Sequence, residues 1–303
     1  LHPHPEARAP HRRQGSHGKA GARLSDTPGS GDRDAEASPD GVDERVAPPA
    51  EGHQRYRLQI AYDGAPFRGF AENAGVRTVG GDLRAAIAKV LGTAPVLTVA
   101  GRTDAGVHAR SQVVSFDAER GSIDTQELRR SLNSMLAPAV VVRDVAHAGD
   151  DFDARFSAQW RRYRYRLLTS EVPDPFLAHT TWWVPASLDR HRMSDAAHQL
   201  VGEHDFSSFC RRPRDRPDAS LVRRVTDARW SQELGDDPRV LTFEVTATAF
   251  CHQMVRSIVG TLVDIGRGRR GPQTVSDALG GRDRAIAGQL APPQGLFLWE
   301  IGY

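Results

Sequence analysis

The feature that most constrains the fold of this chain is one order of strand and helix patterns that occurs twice. Its first copy contains four strand patterns and two helix patterns. The strands are RYRLQIAYDG, VLTVAG, SQVVSFDAE and AVVVRDVAHA, and the helices are TVGGDLRAAIAKVLG and DTQELRRSLNSML. Gly92 marks the end of the first helix, and Asp124 is the predicted N-cap of the second. This β-α-β-β-α-β order predicts a ferredoxin-like (RRM-like) unit.

The second copy of this order is looser and fills the rest of the chain. Its patterns are a strand in WRRYRYRLL, a helix in DRHRMSDAAHQLVG, a hairpin of LVRRVTDARWSQ and RVLTFEVTATAF, an apolar helix in HQMVRSIVGTLVDIG, a short inserted helix in TVSDALGG and a last strand in GLFLWEIGY. The sequence therefore predicts an α+β fold of two ferredoxin-like halves with a central mixed or antiparallel sheet. We expect the halves to span residues 53–150 and 151–303.

Residues 1–52 differ from the rest of the chain. They have no apolar period and are dense in Pro, Gly, Ser and charged residues, so we expect a disordered extension and assign it no function. The remainder supports a sizeable core, because the 303-residue chain is 39% hydrophobic and 26% charged. Of 40 Lys and Arg residues, only Lys19 and Lys89 are lysines, and arginine suits phosphates and base faces.

Several classes of protein do not fit this sequence. No run of 18 apolar residues predicts a membrane span, and no apolar stretch follows the basic residues at the N-terminus, as a secretory signal requires. Cys210 and Cys251 are too few for a disulfide framework, and neither C-x-x-C nor H-E-x-x-H spacing occurs. We therefore expect a cytoplasmic protein without a metal site.

The stretch AGRTDAGVHA places an arginine, an aspartate and a histidine within seven residues of one loop. Arg102, Asp104 and His108 are the residues concerned, and Gly101 and Gly106 allow sharp turns and the close approach of a ligand. Asp104 taken alone is more typical of an Asx turn than of a catalytic site. The cluster favours a site, although His108 taken alone is more typical of a structural histidine than of a catalytic one, because it lacks a Ser or Cys nucleophile to activate.

This stretch resembles the signature of the tRNA pseudouridine synthase A family. The resemblance continues, in the same order, through YDGAPFRGF, DDFDARFSAQWRRYRYRL, GEHDFSSFC and FCHQMVRSIVGTLVDIGRG. It covers the chain from Tyr56 to Tyr303. The chain departs from the common family pattern at Gly69-Phe70-Ala71, where many members have Gly-Trp-Gln, and at Val79-Gly80-Gly81, where many have Val-Gln-Gly. We expect these changes to affect tRNA contact or loop packing rather than chemistry.

The resemblance implies a fold, an activity and a site. It implies the pseudouridine synthase fold and the isomerisation of uridine to pseudouridine at positions 38, 39 and 40 of the tRNA anticodon stem-loop. It implies no metal, no organic cofactor, and a homodimer in which one tRNA contacts both subunits. The family's catalytic aspartate matches Asp104, its active-site tyrosine matches Tyr163, and its active-site arginine matches Arg256.

The chemistry explains why such residues suit the reaction. The N1–C1′ glycosidic bond breaks and a C5–C1′ bond forms, so one carboxylate suffices because the uracil itself returns as the nucleophile. Attack at C1′, attack at C6 and proton removal from C2′ all remain open for Asp104. An ion pair with Arg256 would keep Asp104 ionised, although Arg256 equally suits another carboxylate or a carbonyl.

The remaining site residues have roles in substrate binding. Tyr163 lies on the face of WRRYRYRLL that also carries Arg161 and Tyr165, where it either stacks on the uracil and transfers protons or belongs to an ordinary surface strand. Arg102 is our first candidate for a phosphate contact and His108 a further substrate-binding candidate. The loop RRPRDRP is a looser candidate, and each of its arginines taken singly is more typical of a solvated loop.

Two other functions compete with the isomerase. A non-catalytic RNA-binding protein on a ferredoxin-like scaffold would carry RNP-type aromatic residues, which we do not find in the sequence. A hydrolytic glycosidase would need a second carboxyl group beside Asp104, and RTDAGVH offers none locally.

Overall fold

The structure, a computed structural model, describes residues 46–213, 216–232 and 237–303. Most of the predicted extension over residues 1–52 therefore lies outside the described residues. The strands are β1 (His53–Tyr62), β2 (Thr98–Val99), β3 (His108–Glu119), β4 (Val140–His147), β5 (Trp160–Leu168), β6 (Trp182–Trp183), β7 (Gly202–Asp205), β8 (Val222–Gln232), β9 (Val240–Ala247) and β10 (Leu296–Gly302). The helices are α1 (Val79–Leu91), α2 (Thr125–Leu136), α3 (Arg190–His198), α4 (Met254–Gly266) and α5 (Thr274–Gly281).

The described strands form one mixed sheet in the order β4-β1-β3-β10-β5-β9-β8-β7, with β2 on β3 and β6 on β5. Within each half, the last strand lies beside the first, and the first beside the third. This order appears as β4-β1-β3-β2 and again as β10-β5-β9-β8. It is the ferredoxin-like arrangement, so the predicted fold class is confirmed. The parallel pairing of β10 with β3 joins the halves, and the boundary near Asp150 stays a prediction.

Local sequence signals fixed the helix ends as predicted. Gly92 adopts a left-handed φ of 76° directly after α1, a conformation that costs glycine little. The Asp124 carboxylate accepts hydrogen bonds from the backbone N–H groups of Gln126 (2.8 Å) and Glu127 (3.0 Å), which caps α2. Two short strands, β6 and β7, were not predicted, because two to four residues carry too little pattern.

Alternation in β5 buries one face of the central strand. Tyr163, Tyr165 and Leu167 are buried, whereas the arginines between them are half-buried. Burying each large apolar side chain contributes roughly 1.5–3 kcal/mol. The helix α4 is buried along its length except at Arg256, as its apolar pattern predicts. No helix in the described ranges has both the length and the apolarity needed to cross a bilayer.

Gly260 lets α4 approach the segment that carries the Ala291 carbonyl, and we expect its replacement to be costly. A Cβ on Gly260 would overlap the Gln289 carbonyl, so Gly260→Ala must push the helix and this segment apart. We expect a loss of about 3 kcal/mol in the free energy of unfolding, measured with urea. Gly280→Ala in α5 is the matched control, because nothing lies within 4 Å of a Cβ there. It should stabilise the protein by up to about 1 kcal/mol; equal effects of the two changes would contradict the packing argument.

Candidate active site

The loop between β2 and β3 holds Asp104, and hydrogen bonds from distant parts of the chain fix it. The Phe70 N–H donates to the Thr103 carbonyl (3.0 Å), and the Thr103 hydroxyl shares a hydrogen bond of 2.7 Å with the Tyr62 hydroxyl. The Gln112 side-chain amide donates to the Gly101 carbonyl (2.6 Å). These contacts fix the chain directly before Asp104, so the loop presents this side chain from a rigid support.

The end of this loop depends on a glycine. Gly106 has a φ of 77°, in the left-handed region that glycine favours. A Cβ there would also lie 3.1 Å from Cγ of Pro293, a close contact. The expectation of a sharp turn therefore agrees with the structure at Gly106, whereas the close approach of a ligand stays a prediction.

The Asp104 carboxylate is held by one basic side chain on each oxygen. Arg256 Nη1 donates to Oδ2 at 3.2 Å, and Nε2 of His252 lies 3.2 Å from Oδ1. The Asp104 side chain is 29% exposed, so one part of it remains open to a ligand. Arg256 is held a second time, because its Nε donates to the Ala291 carbonyl at 2.8 Å.

Burial and the two basic neighbours act in opposite directions on Asp104. Burial alone would raise the pKa of its carboxyl group, but the hydrogen bonds and charges of His252 and Arg256 outweigh it. The pKa of Asp104 is therefore lowered from its ordinary value. The carboxylate is ionised at neutral pH, as a nucleophile or a base requires.

Tyr163, in β5, lies beside the start of the loop that carries Asp104. Its hydroxyl is 3.6 Å from the position a Cβ on Gly101 would occupy, and its ring packs edge-to-face on Phe250 with centroids 4.8 Å apart. Arg161, on the same face of β5, donates to the Ala100 carbonyl at 3.1 Å. The structure thus brings the predicted face of β5 against the loop of Asp104.

The environment of Tyr163 keeps its hydroxyl protonated. Burial raises the pKa of Tyr163 well above its usual range, and the neighbouring Tyr62 and Asp104 raise it further, against a lowering by Arg161. A phenol in this state donates a hydrogen bond at neutral pH and is not a phenolate base.

The structure does not bring His108 into the site. Its ring is 3% exposed and stacks on Phe297 at 4.6 Å. The Gly64 N–H donates to Nδ1 (3.1 Å), and Nε2 bonds the Gln294 carbonyl (3.1 Å). Asp63 Oδ1 also lies 3.1 Å from Nδ1, yet burial lowers the pKa of His108, so we take the ring as neutral. Both ring nitrogens are engaged within the protein, which disagrees with the expected substrate contact.

The predicted phosphate contacts differ in their surroundings. Arg102 is exposed and makes no hydrogen bond or ion pair with any residue that the structure describes. Its guanidinium is available to a ligand. The looser candidate RRPRDRP, residues 211–217, includes positions 214 and 215, which lie outside the described residues.

Sequence reasoning missed His252 as a partner of Asp104. His252 precedes Arg256 by four residues but lies outside α4, so helical spacing does not predict that the two side chains meet, and the sequence carried no clear signal for this contact. The preceding residue, Cys251, forms a single disulfide with Cys210, with Cα atoms 5.8 Å apart. One bridge is not a framework, but this one anchors the chain directly before His252.

The family departures lie in the packing beneath the loop. Phe70 is 3% exposed, and its carbonyl accepts a hydrogen bond from the Gly80 N–H at 2.9 Å. Its ring lies 6.3 Å from that of Tyr62, centroid to centroid. Phe70 and Gly80 therefore contact the support of the site, whereas Ala71 is exposed.

Within the described ranges, no group of three or more His, Cys, Asp or Glu side chains is arranged to hold a metal ion. The side chains that contact the Asp104 carboxylate are an imidazole and a guanidinium. Neither is the second carboxyl group that paired-carboxylate hydrolysis uses.

Comparisons with known proteins found a matching family model, solved structures and curated relatives. The family model described as tRNA pseudouridine synthase matches residues 59–157 and 196–303. One solved structure, a Cbf5-Nop10-Gar1 complex, aligns with 80% of this chain and 49% of its own, at 16% identity and a TM-score of 0.32.

Curated relatives match most of the chain. The tRNA pseudouridine synthase A of Geobacillus kaustophilus is 39% identical over 251 residues, which is 82% of this chain and 95% of the relative. That of Cutibacterium acnes is 42% identical over 252 residues, 82% of this chain and 88% of the relative. The chain belongs to the tRNA pseudouridine synthase family.

Proposed function

We propose that this protein isomerises uridine to pseudouridine in tRNA and that Asp104 is its catalytic carboxylate. The observation that carries the proposal is the ionised Asp104 carboxylate, partly open and held between His252 and Arg256 on a fixed loop. The relatives named tRNA pseudouridine synthase A support the reaction and the substrate class. The reaction needs no metal or organic cofactor.

The finer substrate and setting follow from the family resemblance. We propose positions 38, 39 and 40 of the anticodon stem-loop as the targets. We further propose a homodimer that acts on tRNA in the cytoplasm. The proposed targets and the proposed homodimer require no component other than copies of this chain and the tRNA.

The reaction is balanced within the nucleotide. The N1–C1′ bond breaks, the uracil turns, and C5 bonds to C1′ before losing its proton, while N1 gains one. The Asp104 carboxylate assists by bonding to C1′ or C6, or by removing the C2′ proton. Each route starts from the ionised form that His252 and Arg256 favour.

Tyr163 and Arg102 complete the proposed site. The ring of Tyr163 packs against the uracil, and its protonated hydroxyl donates a hydrogen bond during rearrangement. The target base must leave its stack, at a cost of a few kcal/mol. A phosphate contact from the exposed Arg102 offsets part of this cost. His108 belongs to the support of the site rather than to the substrate contacts.

The test is incubation with an unmodified tRNA transcript, followed by mapping of pseudouridine by carbodiimide treatment and primer extension. We expect stops at those of positions 38, 39 and 40 that carry uridine, and no stop in a transcript with cytidine there. Binding without any pseudouridine would support the non-catalytic RNA-binding alternative. Release of free uracil would instead indicate a hydrolytic glycosidase.

A further inference from the structure

His252 lies on the carboxylate oxygen of Asp104 that Arg256 does not contact. Its Nε2 is 3.2 Å from Oδ1, while Arg256 Nη1 is 3.2 Å from Oδ2. We propose that His252 is a positioning residue, whose Nε2–H donates to Oδ1 and fixes the orientation in which the carboxylate meets the nucleotide. This inference rests on the proposed role of Asp104.

A second contact is needed because Arg256 donates only one hydrogen bond to the Asp104 carboxylate. Its Nη1 donates to Oδ2, but its Nε donates to the Ala291 carbonyl, so the guanidinium does not form a bidentate pair with Asp104. A single hydrogen bond leaves the carboxylate plane free to turn about it. A donor on the other oxygen removes that freedom, and reacting groups require such control.

The backbone at His252 is held firmly enough to supply that control. Its carbonyl accepts a hydrogen bond from the Arg211 N–H at 2.9 Å, and the Cys251 carbonyl accepts one from the Met254 N–H at 3.1 Å. Gln253, the next residue, has a φ of 65° and is the N-cap residue directly before α4. Backbone contacts on either side thus fix the position from which the imidazole reaches Asp104.

The same geometry argues against a role in stability alone. The His252 side chain is 27% exposed and that of Asp104 is 29% exposed. A partly exposed pair of this kind contributes little to the free energy of folding. Its value therefore lies in orienting the carboxylate.

Three variants of His252 test the proposal, because they differ in whether the new side chain can donate a hydrogen bond to Oδ1 of Asp104. His252→Leu has no donor, His252→Asn has one on a side chain too short to reach Oδ1, and His252→Gln has one of similar reach. We expect the single-turnover rate constant to fall about 10- to 100-fold in the Leu and Asn variants. The Gln variant should recover most of that loss. Affinity for tRNA and the melting temperature should change little in all three.

The controls separate this inference from the proposed function. His198→Leu removes an exposed histidine at the end of α3 and should keep wild-type kcat. If the Leu variant fails to fold, the Asn variant carries the test. Wild-type kcat in the Asn variant, equal losses in the Asn and Gln variants, or a loss confined to tRNA affinity would each overturn the role of His252. Absence of pseudouridine with the unaltered protein would instead overturn the proposed function.

Discussion

Asp104→Asn is expected to end pseudouridine formation while leaving the fold and tRNA binding largely intact. The amide has the shape of the carboxylate, but it is neither a nucleophile nor a base at neutral pH. We expect a loss of at least about 10⁴-fold in single-turnover rate, as when a reacting group is removed from an enzyme. The amide NH₂ must face either His252 or Arg256, both donors, so we also expect a stability loss of about 1–2 kcal/mol.

The measurement combines pseudouridine mapping with urea unfolding and a tRNA-binding titration. Asp124→Asn is the matched control, because Asp124 caps α2 through its side-chain oxygen and asparagine caps helices equally well. This control should keep both activity and stability. Continued pseudouridine formation by Asp104→Asn, at a rate near that of the control, would remove Asp104 from its proposed role.

The sequence predicted those features of the site that lie in local pattern or in family motifs. The alternation of β5 placed Tyr163 on the buried face, and the apolar pattern of α4 isolated Arg256 as its one half-buried residue. The pairing of Arg256 with Asp104 was one of two open interpretations, and the structure has the ion pair together with the Ala291 carbonyl contact. Both alternatives were therefore partly right.

Contacts between distant residues were not predictable in this way. Tyr62 supports the loop through Thr103, which follows 41 positions later, and no spacing in the sequence encodes such a bond. His108 has the same local surroundings in the sequence as Asp104, yet it is the first residue of β3 and pairs with Phe297 of β10. The absence of a nucleophile beside His108 favoured a structural role, but its burial depends on a strand almost 190 residues away, so the sequence did not predict the residues that cover it.

Arg256→Ala is expected to damage activity, its pH dependence and stability together. Burial raises the pKa of Asp104, and without the guanidinium only His252 opposes this effect. The pKa of Asp104 therefore rises in the variant. The acid limb of the kcat/KM profile, which follows ionisation of the free enzyme's carboxylate, should then move to higher pH. We expect a loss of about 10²-fold or more in rate at neutral pH, since the carboxylate also loses its orientation.

The stability effect of Arg256→Ala has a definite sign with pH. The lowered pKa of Asp104 stabilises the folded state above the ordinary aspartate pKa, and this contribution is lost as pH falls through the folded-state value. Removing Arg256 reduces this contribution to stability and leaves the Ala291 carbonyl without the hydrogen bond from Nε. We expect a loss of about 1–3 kcal/mol at pH 7, and a smaller difference from the unaltered protein at acid pH.

Two further variants give the Arg256 experiment its controls. Arg256→Lys keeps the charge but not the fork that reaches both Asp104 and Ala291, so it should restore the acid limb better than the rate. Arg282→Ala removes the exposed pair with Asp205 after α5 and should cost less than about 1 kcal/mol with no change in rate. Arg256 and His252 contact different oxygens of Asp104, so His252 is the remaining contact once Arg256 is replaced. Activity of the Arg256→Ala variant should therefore depend more strongly on His252. An alanine variant as active and as stable as Arg282→Ala would exclude the pairing of Arg256 with a working carboxylate.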